Sequence, residues 1–159
     1  MGEAKLYIIA HNIRSAYNVG AIFRTCDGAG VDKIYLTGYT QSPAEGEAKS
    51  KPEKMVAKTA LGAEKNVLWE KVEDPVILIN RLKKEKVRII ALEKTDRSIS
   101  IADFKPEFPM ALVLGHEVDG VADDILGLCD DVVGIPMRGR KESLNVSVAA
   151  GIAIYEILR

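Results

Sequence analysis

The sequence contains few residues that could form covalent or metal-bound cross-links. Only two cysteines, Cys26 and Cys129, and two histidines, His11 and His116, occur among 159 residues. No Cys-x-x-Cys pair is present, so a structural zinc site is not expected. Two cysteines without the pattern of a disulfide framework are typical of proteins in a reducing compartment, the cytoplasm. We therefore expect a cytoplasmic protein that binds no metal.

Long apolar runs and a strong net charge are also absent. The first apolar run, residues 6–10, is too short to cross a bilayer, and the N-terminus lacks the apolar region of a secretory signal, so no membrane association is expected. The formal net charge of −1 excludes an overall field that attracts nucleic acid, and any RNA-binding surface must be local. The length predicts one domain, over residues 1–159.

Several common catalytic motifs are missing. The sequence contains no GxxxxGK[ST] phosphate loop, no GxSxG turn and no HExxH helix. The segment DGAGVD, residues 27–32, has two glycines but lacks the third glycine and the preceding strand of a dinucleotide-binding loop. These absences argue against the usual hydrolases and nucleotide-dependent enzymes.

What the sequence does contain is an alternation of strand-like and helix-like segments. Helical spacing of apolar residues predicts helices over 17–30 and 74–86, the second capped by Asp74 and started by Pro75. The strand-like segments are rich in Val, Ile and Leu with little alternation, as in strands covered on both faces; they are 5–11, 33–38, 66–72, 87–93, 109–115 and 130–136. The pattern predicts an α/β fold, with a mostly parallel sheet and helices on both faces.

Two further segments have unusual composition. Residues 38–54 are polar, contain two prolines and are predicted to form a mobile loop. The last segment, 138–159, runs from basic residues into a helix that is apolar on nearly every side, which predicts burial. Asn145 and Ser147 are placed in the first turn of this helix, where asparagine has poor propensity and a buried amide needs partners. One apolar face holds Val146, Ala149, Ala150, Ala153 and Ile157, and another holds Val148, Ile152 and Tyr155.

Polar residues gather directly after three of the predicted strands. They lie in the segments 11–18, 115–120 and 136–145. Because ligands of parallel sheets bind beyond the carboxyl ends of the strands, the sequence predicts one site at this edge.

Three segments resemble a known family. NVGAIFRTCDGAG (18–30), LVLGHEVDGV (112–121) and IPMRGRKESLNVSVAAGIAIYE (135–156) are similar to the three ordered motifs of the SpoU (TrmH) family, which are RNA ribose 2′-O-methyltransferases of the SPOUT superfamily. The third motif is the most specific. The resemblance implies a deep C-terminal trefoil knot, a homodimer, S-adenosylmethionine as cofactor, and a catalytic domain without a separate RNA-binding extension.

The resemblance also implies residue roles. Arg24 would clamp a phosphate and stabilise the developing alkoxide, since a guanidinium is a poor free base; the family's proposal that the same arginine accepts the proton stays open. Ser143 is open between the site and a helix cap. The catalytic residues implied are Arg24, Asn18, Glu117, Ser143 and Asn145, and the cofactor-binding residues are Leu92, Glu93, Gly115, Ile135, Met137, Ser143 and Leu144.

Basic residues near these motifs suggest an RNA-binding rim. Arg14, Arg138, Arg140 and Lys141 are expected to contact phosphates of the substrate, and Lys49, Lys51, Lys54 and Lys58 either extend this rim or are simply solvated. His116 stands where the family has a small residue; a histidine there could be mistaken for a base, but that role is not expected.

The function predicted is methyl transfer from S-adenosylmethionine to a ribose 2′-hydroxyl in structured RNA, with tRNA favoured over rRNA because the domain is minimal. No metal is needed, because the sulfonium is already activated. Two alternatives stay open: a non-catalytic RNA-binding or assembly protein on the same fold, and an α/β enzyme that binds another nucleotide.

Overall fold

The computed structural model describes residues 3–44 and 50–159 of the chain. Strands and helices alternate along most of the chain, as the sequence predicts, but no helix separates the three strands between residues 88 and 114. In chain order they are β1 (Leu6–His11), α1 (Ala16–Ala29), β2 (Lys33–Thr37), α2 (Lys51–Ala60), β3 (Trp69–Lys71), α3 (Pro75–Lys84), β4 (Arg88–Leu92), β5 (Ile99–Ser100), β6 (Met110–Leu114), α4 (Asp123–Leu126), β7 (Asp131–Gly134) and α5 (Val146–Ile157).

Within residues 3–44 and 50–159, the strands form one seven-stranded sheet in the order β3-β2-β1-β6-β4-β7-β5. All six ladders between the described strands are parallel, which confirms the predicted parallel sheet. Parallel strands end at the same edge, so the segments that follow β1, β4, β6 and β7 meet there.

Helices cover both faces of the sheet, as predicted. Residues along each central strand alternate between the two layers: Ile8 packs in the core with α1, α2 and α5, while Ile9 packs with α3 and α4. Phe23 of α1 and Leu78 of α3 are fully buried in their respective layers. Burying both faces explains why the strands read as continuous apolar runs.

The prediction of a loop over 38–54 is wrong at its C-terminal end. Residues 51–54 form the first turn of α2, whose N-cap is Ser50. The side chain of Ser50 accepts from the Glu53 N–H, and the Glu53 carboxylate accepts from the Ser50 N–H. This reciprocal capping box is a sequence signal for a helix start. Residues 45–49 of the predicted loop lie outside the described residues.

The C-terminal helix α5 is buried on one face only. Ala150, Ala153, Ile154 and Ile157 pack in the core of the α1 side, whereas Val148, Ile152 and Tyr155 are 51%, 43% and 57% exposed. Within one chain only part of the predicted burial is found; the resemblance to the family implies that a partner subunit covers the rest.

Asn145 does not lie inside the first turn of α5. It is the N-cap, its side chain is exposed, and its Oδ1 accepts from the N–H groups of Ser147 and Val148. This corrects the sequence prediction and explains the asparagine, because asparagine is favoured at the cap and disfavoured one turn further on. Ser143, left open as a cap, does not serve as one.

Strand β7 lies between β4 and β5, both of which precede it in the chain. The trefoil knot itself stays a prediction. No helix in the part of the chain that the structure describes has the length and apolar character to span a membrane. Cys26 and Cys129 are both free thiols, and a cytoplasmic location also stays a prediction.

Candidate functional site

A cleft of about 330 Å³ opens at the carboxyl edge of β4, β6 and β7. Its walls come from the segments that follow these strands and from the segment that leads into α5. The volume lies at the lower end of the range of small-molecule sites. All seven residues expected to bind a cofactor line it, namely Leu92, Glu93, Gly115, Ile135, Met137, Ser143 and Leu144.

Sequence reasoning missed several residues of the cleft wall. Val146 and Ala149 line the cleft from the first turn of α5, and Thr95 and Leu126 contribute from the segments after β4 and in α4. The spacing of Val146 and Ala149 places both on one side of α5, a signal that was present in the sequence. Thr95 and Leu126 have no motif that marks them.

The loop after β6 folds tightly against itself. His116 and Gly120 exchange backbone hydrogen bonds of 3.1 and 2.9 Å. A Cβ atom at position 115 would lie 2.4 Å from the Gly120 carbonyl carbon, and one at position 120 would lie 1.9 Å from Oε2 of Glu93. The glycine at position 115 therefore makes room for its own loop.

We expect Gly115→Ala to lower the free energy of unfolding by about 1–3 kcal/mol, because the added methyl group must push the backbone of Gly120 aside. Gly139→Ala is the matched control, since a Cβ at position 139 would meet nothing within 4 Å. Denaturant unfolding of both variants measures the difference. Equal stability of the two variants would show that the loop accommodates a side chain.

Glu117 joins three segments of the site. Its carboxylate accepts from the N–H groups of Arg14 and Ser15, each at 3.0 Å, and from Nδ2 of Asn18 at 3.2 Å. Nδ2 of Asn145 in turn donates to Oδ1 of Asn18 at 3.3 Å. Three of the implied catalytic residues, Asn18, Glu117 and Asn145, thus form one hydrogen-bonded network beside the cleft.

The charge of Glu117 is stabilised by this network. Partial burial acts to raise the pKa of the carboxyl group, but the hydrogen bonds from Ser15, Arg14 and Asn18 outweigh it and bring the pKa below its ordinary value. The group is consequently ionised at neutral pH and is an acceptor only.

His116 lines the cleft but is tied to its own loop. Its Nδ1 accepts from the N–H groups of Val118 and Asp119, at 3.1 and 3.0 Å. Because an amide N–H can only donate, the ring proton lies on Nε2. These hydrogen bonds indicate that His116 fixes its own loop.

Arg24 is not in the cleft of its own chain. It is exposed on α1 and lines a separate depression together with Lys58 and Tyr155. Asn18, six residues earlier on the same helix, is at the cleft through Glu117. The structure of one chain therefore brings together the implied catalytic residues except Arg24.

The expected rim residues are exposed around the cleft without lining it. Arg138, Arg140 and Lys141 follow Met137 and precede Ser143, both of which lie in the cleft wall. The exposed Arg14 is anchored beside Glu117 by its own N–H. Of the four lysines, Lys51 and Lys54 are exposed on α2, Lys58 lies at the depression of Arg24, and Lys49 lies outside the described residues.

Comparison with known proteins gives concordant matches. A model of the SpoU rRNA Methylase family matches residues 5–155. A tRNA (guanosine(18)-2′-O)-methyltransferase of Aquifex aeolicus is 36% identical over 157 residues, which cover 99% of this chain and 70% of that protein. A 23S rRNA (guanosine-2′-O-)-methyltransferase, RlmB, of Yersinia pestis is 30% identical and is matched over 60% of its length. The crystal structure of the A. aeolicus TrmH/SpoU tRNA modifying enzyme superimposes with a TM-score of 0.83 at 32% identity, covering 98% of this chain and 75% of that one.

Proposed function

The chain belongs to the SpoU rRNA methylase family, and on that premise we propose that it transfers a methyl group from S-adenosylmethionine to a ribose 2′-hydroxyl of RNA. The observation that carries the proposal is the meeting of all seven expected cofactor residues in one cleft. The network of Asn18, Glu117 and Asn145 lies directly beside that cleft.

The cleft fits the proposed cofactor in size and chemistry. Leu92, Ile135 and Leu144 supply apolar wall for the adenine and the methionine chain, while Glu93 and Ser143 supply polar groups. S-adenosylmethionine provides a methyl group on a sulfonium, whose departure leaves a neutral thioether. The protein then needs only to align the hydroxyl and to compensate charge.

The polar network supports the other half of the reaction. Asn18 and Asn145 lie beside the cleft, near where a ribose would bind, and Glu117 fixes the orientation of Asn18. Holding two reactants in line contributes about 7–11 kcal/mol in well-oriented systems. Arg24 would compensate the charge of a phosphate and of the developing alkoxide, provided that it reaches the site.

A homodimer would bring Arg24 to the site. The exposed apolar face of α5, formed by Val148, Ile152 and Tyr155, leaves a surface for a second copy of the chain. The N-cap end of α5 borders the cleft, and Tyr155, about 15 Å further along the helix, borders Arg24. A two-fold axis across the middle of this face would set each Arg24 against the cleft of the partner subunit.

We expect Ile152→Glu to separate the dimer, because it places a charge in the middle of the proposed apolar contact. Ile77→Glu is the matched control, since Ile77 is 64% exposed on α3, on the other side of the sheet. Light scattering would show a monomer for Ile152→Glu and a dimer for the control and the wild-type protein. A monomeric wild-type protein would contradict the dimer.

The proposed substrate is tRNA in preference to rRNA, supported by the higher identity to the tRNA-modifying relative than to RlmB. Unmodified tRNA and 23S rRNA transcripts, incubated with the protein and labelled S-adenosylmethionine, test this directly. We expect label in tRNA. Label only in rRNA would reassign the substrate, and cofactor binding without transfer to any RNA would favour the non-catalytic alternative.

A further inference from the structure

An exposed tyrosine stands at the same edge of the sheet as the cleft. Tyr39 is 59% exposed and lies in the turn that directly follows β2. Its ring lies edge to face with the ring of His116, with centroids 6.5 Å apart and an interplanar angle of 79°. The two rings form an aromatic corner (Tyr39 and His116) next to the cleft, since His116 lines the cleft wall.

The backbone that carries Tyr39 is held on both sides. Nζ of Lys71 donates to the carbonyl oxygens of Gly38 and Thr40, at 2.6 and 2.7 Å. Oδ1 of Asn12 accepts from the Tyr39 N–H at 3.1 Å. These bonds fix the residue that displays an aromatic ring to solvent, so little conformational freedom is lost when something binds to the ring.

The next residue links this turn to the catalytic network. Thr40 is 1% exposed, and its hydroxyl donates to the Ala10 carbonyl and accepts from the Ile13 N–H. The residue after Ile13 is Arg14, whose N–H binds Glu117. The aromatic corner and the network around Glu117 are therefore parts of one hydrogen-bonded framework, with the exposed Arg14 between them.

We propose that the aromatic corner stacks an unpaired nucleobase of the RNA substrate beside the reacting ribose. The inference rests on the proposed function and adds the part of the RNA that is recognised. Proteins bind unstacked bases on tyrosine and histidine rings, and an adjacent arginine supplies attraction to phosphate. The ring of His116 also offers its Nε2–H as a donor, because Nδ1 is already used by two backbone N–H groups.

Binding of a fluorescein-labelled single-stranded oligoadenylate, measured by anisotropy at several salt concentrations, tests the proposal. We expect Tyr39→Ala to weaken binding about tenfold, and Tyr39→Phe to bind like the wild-type protein, because the ring is what stacks. The slope of log Kd against log salt should stay unchanged in Tyr39→Ala, because stacking releases no counterions. Arg140→Gln, the charge control, should lower that slope by about one.

His116→Asn gives a second test, because the asparagine oxygen replaces Nδ1 as acceptor for the loop while the ring is lost. We expect weaker oligoadenylate binding at an unchanged salt slope. Tyr39→Ala that binds oligoadenylate as tightly as the wild-type protein would overturn the aromatic corner and leave the proposed function standing. The aromatic corner would also be overturned, with the proposed function left standing, if Tyr39→Ala lost affinity for S-adenosylmethionine and kept its affinity for RNA. A wild-type protein that binds neither oligoadenylate nor tRNA would overturn both.

Discussion

Replacing Arg24 with alanine is expected to abolish methyl transfer while the affinity for S-adenosylmethionine stays within about threefold, a difference below about 1 kcal/mol. The affinity stays because the residues expected to hold the cofactor line the cleft, whereas Arg24 is not among them and would act on the RNA phosphate and the ribose oxygen. The transfer is lost because Arg24 is the group proposed to stabilise the developing alkoxide and the phosphate next to it. Single-turnover methylation of tRNA and calorimetry with S-adenosylmethionine measure the two effects.

Arg24→Lys retains the charge without the planar fork of donors, and we expect it to restore only part of the activity.

Mixing two inactive variants decides which subunit supplies Arg24. Arg24→Ala is combined with Leu144→Arg, in which a long charged side chain fills the cleft. If the site combines Arg24 of one protomer with the cleft of its partner, a mixed dimer has one intact site, and about a quarter of the wild-type activity returns on random exchange. If both elements belong to the same chain, no activity returns. Full activity of Arg24→Ala alone would refute the role of the arginine altogether.

The second large effect is expected for Glu117→Ala. Two backbone N–H groups and the Asn18 amide lose their acceptor, which should lower the free energy of unfolding by about 1–3 kcal/mol. Asn18 also loses its orientation, and misplacement of about 1 Å near a reacting centre costs about 100-fold in rate. Denaturant unfolding and single-turnover methylation measure the two losses. Wild-type activity in this variant would show that the network does not position the reacting groups.

Two glutamine variants serve as controls for Glu117. Glu107→Gln alters an exposed carboxylate whose ion pair with Arg88, at 3.6 Å, contributes little to stability. The stability and the activity of this variant should therefore equal those of the wild-type protein. Glu117→Gln keeps one oxygen acceptor but loses the charge. Because the pKa of Glu117 is below its ordinary value, the ionised carboxylate stabilises the folded protein fully above the ordinary glutamate pKa of about 4.3. This contribution is lost as pH falls through the lowered pKa. Stability of Glu117→Gln should therefore fall less steeply than that of the wild-type protein in this acidic range.

Much of the fold could be predicted because both faces of the sheet are buried. Short apolar runs rich in Val, Ile and Leu, such as Met110–Leu114, are typical of strands covered on both faces, and the capping pair of Asp74 and Pro75 marks the start of α3 correctly. Helix α2 was missed because its polar composition resembles a loop, and only the pattern Ser50–Glu53 reveals it. The exposed face of α5 could not be told from a buried one, since composition does not say whether a neighbour belongs to the same chain.

Part of the site could also be predicted, because the buried strands are recognisable in the sequence. Strand ends are visible in the sequence, so the segments 115–120 and 136–145 could be assigned to one edge, while the roles of Gly115, Ile135 and Leu144 came from the resemblance to the SpoU motifs. The hydrogen bonds that join Glu117 to Arg14 and Ser15 link positions about 100 residues apart, and no local pattern encodes them. The placement of Arg24 outside the cleft depends likewise on the direction of α1, which periodicity does not supply.

The most direct measurement of the central claim is nucleoside analysis of RNA that has been incubated with the protein and S-adenosylmethionine. The RNA is digested to nucleosides, and mass spectrometry distinguishes a methyl group on ribose from one on the base. A cleft that seats the methyl donor beside a ribose predicts a new 2′-O-methylated nucleoside that is lost with Arg24→Ala. A methyl group on a base, or no methylated nucleoside in any RNA tested, would contradict the account.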